Sequence, residues 1–89
     1  MAGCFTLEGA GALVLGCFPA GTSLDTTLEG AGLITDNQRT ALRQRLLQKV
    51  DDRGCSIQPT DIPVDGSTTL QAIMDALFDK AKVVAGATS

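Results

Sequence analysis

Apolar and polar positions follow a clear helical period near the C-terminal end of the chain. From Leu70 onward the apolar side chains recur three or four positions apart, with charged residues between them. This apolar stripe consists of Leu70, Ile73, Met74, Leu77, Phe78 and Ala81. Because such spacing gives a helix one apolar face, it predicts a helix over residues 68–84. Ser67 or Thr68 is expected to cap it, since Thr68 and Gln71 have capping-box spacing.

A second helix is predicted over residues 36–52. Thr35 and Gln38 have the spacing of a capping box, in which the hydroxyl and the amide satisfy each other's backbone N–H groups. The apolar stripe of this helix consists of Ala41, Leu42, Leu46, Leu47 and Val50. Gly54 is the expected C-terminal cap, because glycine adopts the left-handed conformation at low cost.

Residues 55–66 form the predicted connector between these helices. Pro59 and Pro63 interrupt regular structure there and leave room for one helical turn. We expect Ile57 and Ile62 to fill the core between the two long helices, whose apolar stripes would face each other.

The first 34 residues have a different character. They contain most of the ten glycines and none of the seven lysines and arginines. The hexapeptide Thr-Leu-Glu-Gly-Ala-Gly occurs there twice, at 6–11 and at 27–32. Because Gly-Ala-Gly suits turns and helix ends, the two copies predict similar loop or helix-end segments. An irregular Gly-rich N-terminal segment is therefore expected.

Residues 13–18 form a short apolar run within this segment, compatible with a buried helix or a strand. We expect Leu13, Val14, Leu15 and Phe18 to pack against the two long helices. Residues 1–5 are expected to be mobile, as chain termini often are.

Length and composition narrow the function classes. The chain has 89 residues, a net charge of −3 and three phenylalanines without tyrosine or tryptophan. One domain is expected, and a nucleic-acid partner is not, because cations and stacking aromatics are scarce. No apolar run reaches the roughly 20 residues that span a bilayer. The residues before Cys17 resemble a lipoprotein cleavage site but lack a preceding positive segment, so a cytoplasmic location without membrane contact is expected.

Catalytic and metal-binding residues are scarce as well. Histidine is absent, which removes the usual general base and the commonest metal ligand. Cys4, Cys17 and Cys55 are widely spaced and contain no Cys-x-x-Cys pair, so reduced thiols are expected rather than a zinc site. The sequence predicts no enzyme, no metal site and no cofactor.

From residue 25 onward the order of segments resembles an acyl carrier protein or peptidyl carrier domain. The matching stretches are 25–33, 54–62, 68–77 and the helical motif Leu42-Arg43-Gln44-Arg45-Leu46. The resemblance implies an all-α fold, a small acyl-carrier-like helical bundle that acts in fatty-acid, polyketide or nonribosomal-peptide assembly. The expected organisation is one domain, 1–89, with a Gly-rich N-terminal segment and loop (1–34), a helical carrier-like part (35–85) and a tail (86–89).

Carriers of this family hold a phosphopantetheine arm on a serine at the start of the second helix. That position falls on Asp36, or on Thr35 with a one-residue shift, and neither is serine. A register that places the arm on Ser23 is rejected, because it puts glycines inside the helix at about 1 kcal/mol each. The resemblance therefore implies a degenerate carrier that acts by protein–protein interaction, with phosphopantetheine bound only if the carrier is functional.

The second helix also departs from the family in charge. Where carriers usually show an acidic face, it has Arg39, Arg43, Arg45 and Lys49. These side chains form either a solvated flank or a docking surface for an acidic protein partner such as a biosynthetic enzyme. The alternative function is a small helical adaptor or docking domain unrelated to carriers.

Overall fold

The fold is small and helical. A computed structural model of the chain describes residues 4–84, in which three α-helices are present: α1 (Leu7–Leu15), α2 (Asp36–Asp52) and α3 (Leu70–Val84). One 3₁₀ turn (Pro59–Asp61) lies between α2 and α3. The two helices predicted from the apolar stripes are confirmed, and so is the turn in the connector. The predicted tail, 86–89, lies outside the described residues.

Helix α2 begins and ends as its sequence predicts. The Thr35 hydroxyl accepts the Gln38 N–H at 3.2 Å, and the Gln38 side-chain oxygen accepts the Thr35 N–H at 3.2 Å. At the other end Gly54 has a φ of +79°. Cys55 then donates its N–H to the Val50 carbonyl at 3.2 Å, the bond of a Schellman cap.

Helix α3 begins at Leu70, two residues later than expected. The capping hydroxyl belongs to Thr69, which accepts the Ala72 N–H at 3.2 Å. Ser67 and Thr68 instead donate their N–H groups to the Asp65 carboxylate at 2.8 and 3.0 Å. The Ser67 hydroxyl also donates to this carboxylate, at 2.8 Å. This bond, with smaller contributions from the backbone N–H groups, lowers the pKa of Asp65 below its usual value. The prediction of a Ser67 or Thr68 cap is wrong because Asp65 fixes both residues in a preceding turn.

A regular helix, α1, replaces part of the expected irregular segment. The Thr6 hydroxyl caps it by accepting the Gly9 N–H at 3.0 Å. Gly11 is buried, and a Cβ at this position would lie 2.9 Å from the Met74 sulfur. The missing side chain thus lets α1 approach α3 closely. The expectation of irregular structure is wrong over Leu7–Leu15, which is helical and where Gly11 serves packing rather than a turn.

The two copies of the repeated hexapeptide begin alike and end differently. In the second copy the Thr27 hydroxyl accepts the Gly30 N–H at 2.9 Å, as the first threonine does in α1. The second copy then ends after one turn, because Gly32 takes a φ of +91° and Leu33 donates its N–H to the Leu28 carbonyl at 2.8 Å. The first copy instead continues as helix.

The second copy ties the long loop between α1 and α2 to the start of α3. The Leu28 N–H donates to the Thr68 carbonyl at 2.9 Å, and the Leu70 N–H donates to the Thr26 carbonyl at 3.1 Å. Leu28 itself is completely buried. These bonds fix a loop that has little regular structure of its own.

One aliphatic core joins the elements. Its fully buried large side chains are Leu28, Leu46, Ile62, Leu70, Ile73, Leu77, Val14 and Val50. Leu13 is also buried, and Leu15 and Phe18 pack against this core, as predicted. Helix α3 packs most extensively on α1, and within the described residues no Cα of α2 lies within 8 Å of a Cα of α3.

Two of the three cysteines are bonded to each other. Cys4 and Cys55 form a disulfide, with their Cα atoms 6.1 Å apart, whereas Cys17 is a free thiol. The expectation of reduced thiols is therefore wrong for this pair, as is that of mobility for Cys4 and the buried Phe5. The other residues of the segment expected to be mobile, 1–3, lie outside the described residues.

The first prediction concerns the α3 stripe. Leu77→Ala and Ile73→Ala should each lower the free energy of unfolding by about 2–4 kcal/mol, because each leaves a cavity in the core. Val83→Ala on the same helix should change it by less than about 0.5 kcal/mol, since Val83 is 75% exposed. Chemical denaturation measures all three, and equal effects at buried and exposed sites would contradict this packing.

The second prediction concerns the disulfide. It joins residues 51 positions apart. A reductant should therefore lower the free energy of unfolding by about 2–4 kcal/mol, because the unfolded chain gains conformational entropy when the cross-link is broken. Cys4→Ser should show the lower stability and no response to the reductant. Denaturation of both proteins with and without dithiothreitol measures this, and a reductant-insensitive wild type would contradict the bond.

Candidate functional site at the start of helix α2

The hydroxyl nearest the expected attachment position is part of the helix cap. Thr35 is exposed, but its hydroxyl oxygen accepts the Gln38 N–H, and its O–H donates to the Gln38 side-chain oxygen at 3.1 Å. Using this hydroxyl as a nucleophile would break the donor bond of the capping box. The helix start therefore commits Thr35 to stabilising α2.

Asp36 occupies the first position of α2 and is fully accessible. Its side chain is 91% exposed and pairs with the Arg39 guanidinium, one helical turn on. A carboxylate here also complements the helix dipole. An exposed pair of this kind adds at most about 1 kcal/mol to stability. Chemically, the carboxylate could attack a phosphate only to form an acyl phosphate, not the phosphodiester of a carrier arm.

Arg43 links α2 to the connector. Its guanidinium donates to the Ile62 carbonyl at 3.4 Å, and its Nε is buried without a partner among the described residues. Ile62 is itself completely buried next to the 3₁₀ turn. Arg43 is thus half-buried and directed at the protein's own backbone. The expected docking surface loses one of its four members for this reason.

Arg45 and Lys49 lie on the side of α2 that approaches the end of α1. The Arg45 guanidinium donates to the Cys17 carbonyl at 3.4 Å. Helix α1 has no basic residue in its own last turn, so these two cations supply the positive charge that favours its C-terminal carbonyls. The structure brings Arg45 and Lys49 together near Cys17, while Arg39 and Arg43 contact Asp36 and the connector.

The chain that leaves α1 and the first turns of α2 enclose a cleft of about 280 Å³. Its lining consists of Cys17, Phe18, Pro19, Ala31, Leu33, Gln38, Ala41, Leu42 and Arg45. The sequence did not predict this cleft, although apolar residues outside the predicted helices, such as Phe18 and Leu33, indicated that an apolar surface could form there. A second cleft of about 330 Å³ lies on the Lys49 side and is lined by Ala12, Leu13, Gly16, Lys49, Asp52 and Arg53.

The Cys17 thiol is half-buried between the end of α1 and α2. Burial raises the pKa of this thiol above its usual value, while the positive charges of Lys49 and Arg45 act in the opposite direction without cancelling it. Its hydrogen is donated to the Leu13 carbonyl, with the sulfur 3.5 Å from the oxygen. Cys17 is therefore a neutral thiol at pH 7.

Other candidate sites and comparisons add little. Among residues 4–84, no three His, Cys, Asp or Glu side chains are grouped so that they could hold a metal ion. None of the helices in this part of the chain is long and apolar enough to cross a membrane. No protein family model, curated protein or solved structure matches the chain.

The third prediction concerns the pH dependence of Cys17. Arg45→Gln removes a cation that favours the thiolate, so the pKa should rise further and alkylation at neutral pH should slow by about two- to fivefold. Arg39→Gln makes the same charge change away from the thiol and should leave the profile unaltered. Rates of iodoacetamide labelling, measured against pH by mass spectrometry, test this. Identical pH profiles of Cys17 labelling in both variants would contradict the proximity of Arg45 to this thiol.

Proposed function

We propose that this chain is a carrier-like domain that acts by binding protein partners and is not loaded with phosphopantetheine at the start of α2. The observation that carries the proposal is the state of that helix start. A family carrier needs a free serine hydroxyl there, whereas this chain has the capping Thr35 and the paired Asp36.

The order of elements supports the carrier-like part of the proposal. Over 35–85 a capped helix, a connector with one short turn and a last helix follow one another, in the order that the resemblance implies. The loop delivers the chain to a capped helix start, with Ile34 64% exposed just before it. One shared hydrophobic core supports treating 1–89 as a single domain.

A protein partner is favoured by the charge on α2. Among the described residues, Arg45 and Lys49 have no carboxylate partner within 4.0 Å. A partner surface with acidic residues opposite these two cations would gain in encounter rate and orientation. The resemblance places such a partner among the enzymes of fatty-acid, polyketide or nonribosomal-peptide assembly. In this role the domain is not an enzyme.

The fourth prediction is that the wild-type protein gains no mass. After incubation with coenzyme A and a broad-specificity phosphopantetheinyl transferase, intact-mass spectrometry should show the unmodified chain, because no free serine hydroxyl is present at the helix start. A typical acyl carrier protein serves as positive control. A gain of one phosphopantetheine on the wild type would contradict the proposal, and the modified residue would be sought first at Thr35 and next at Ser23.

Two variants test whether the chain is a carrier-like domain or a helical adaptor unrelated to carriers. Asp36→Ser and Thr35→Ser each place a serine at one of the two candidate positions, and both residues suit a helix start. Modification of Asp36→Ser alone would support the carrier register. If both variants stay unmodified while the control is loaded, the alternative of a helical adaptor unrelated to carriers is favoured.

A further inference from the structure

The cleft between the end of α1 and the first turns of α2 has the size and the lining of a small-molecule site. Its volume of about 280 Å³ lies near the lower end of the roughly 300–1,000 Å³ typical of ligand pockets. Phe18, Leu33 and Leu42 contribute apolar walls, and the small side chains of Ala31 and Ala41 leave room between them. A ligand that fills this space would have a small apolar body.

Among residues 4–84, Arg45 is the only charged side chain that lines this cleft. Its one hydrogen bond within the described residues is the long 3.4 Å contact with the Cys17 carbonyl, and it forms no ion pair there. Most of the donors of its guanidinium are therefore free to bind a ligand. The part of the chain that the structure describes places no carboxylate in the lining to compete for them.

Gln38 adds a second donor, because its side-chain oxygen is already occupied by the helix cap. The oxygen of its side chain accepts hydrogen bonds from the Thr35 N–H, the Ile34 N–H and the Thr35 hydroxyl. This commitment to the cap fixes which end of the amide faces the protein. Gln38 lines the cleft, and its amide NH₂ group has no acceptor among the described residues, so it is free to donate to a ligand. Both polar side chains with free hydrogen-bonding groups thus offer hydrogens, which suits an anionic acceptor.

We propose that this cleft binds a small apolar monocarboxylate, with its carboxylate on Arg45 and Gln38 and its apolar body against Phe18, Leu33 and Leu42. One cation balances one negative charge, whereas a phosphate dianion would need more. The Cys17 thiol also lines the cleft and is neutral, so it does not repel an anion. This inference goes beyond the proposed function and does not depend on it.

The test uses the full chain with its disulfide intact. Octanoate, below its micelle concentration, is titrated into the isotope-labelled protein and followed by backbone amide chemical shifts. We expect saturable shifts concentrated at Phe18, Leu33 and Ala41. Octylammonium has the same chain with the opposite charge, and it should cause no saturable shift there. Comparable binding of both probes, or no saturable shift with octanoate, would overturn the proposal.

Three variants locate the site. Arg45→Gln should weaken octanoate binding about tenfold or more, because it removes charge-assisted hydrogen bonds. Ala41→Leu should abolish the shifts by filling the cleft, and leucine is a good helix former, so α2 should persist. Arg39→Gln makes the same change in net charge on the same helix, outside the lining, and should bind as the wild type does.

The outcomes of these variants decide between the proposed site and non-specific attraction. Equal losses in Arg45→Gln and Arg39→Gln would show a general charge effect and overturn the site. Unchanged affinity in Ala41→Leu, with amide shifts that report a folded protein, would overturn it as well. Neither result bears on phosphopantetheine loading, so this proposal and the proposed function fail separately.

Discussion

The burial of Leu28 against the start of α3 is the constraint on which the rest of the fold depends. The loop between α1 and α2 has only single turns of regular structure, so it cannot hold its shape alone. Hydrogen bonds from Leu28 to Thr68 and from Leu70 to Thr26 give its backbone partners in another part of the chain. Because these bonds lie beside a fully buried side chain, water does not compete for them, and one loop conformation is selected.

This anchored loop explains where the candidate site lies. It brings the chain after α1 against one side of α2, where Arg45 meets the Cys17 carbonyl and the apolar cleft opens. The other side of α2 meets the connector through Arg43. The basic side chains of α2 therefore contact two different parts of the chain, the end of α1 and the connector. Its N-terminal turn is closed by a cap. The proposed protein partner and the proposed ligand both involve basic side chains farther along α2, whereas the helix start has Thr35 and Asp36 in place of a serine.

Local interactions account for the part of the fold that the sequence predicted. The bounds of α2 follow from a capping box, an apolar period and a C-terminal glycine, all of which act within one helix. The same holds for the stripe of α3 and for the turn in the connector. Asp36 and Thr35 could also be found from the sequence, because their place at a helix start depends on near neighbours alone.

Contacts between distant segments decided what the sequence left open. The repeated hexapeptide becomes helix in α1, where Gly11 packs against Met74, and a single closed turn before α2, where Gly32 ends it. Cysteine spacing could not show that Cys4 meets Cys55, nor could charge spacing show which basic side chains contact backbone carbonyls. Six identical residues have identical intrinsic preferences, so the residues that flank each copy and its tertiary neighbours give the two copies different structures. The sequence by itself thus determined the two long helices and the capped start of α2, whereas the tertiary structure decided the disulfide, the packing of α1 and the cleft.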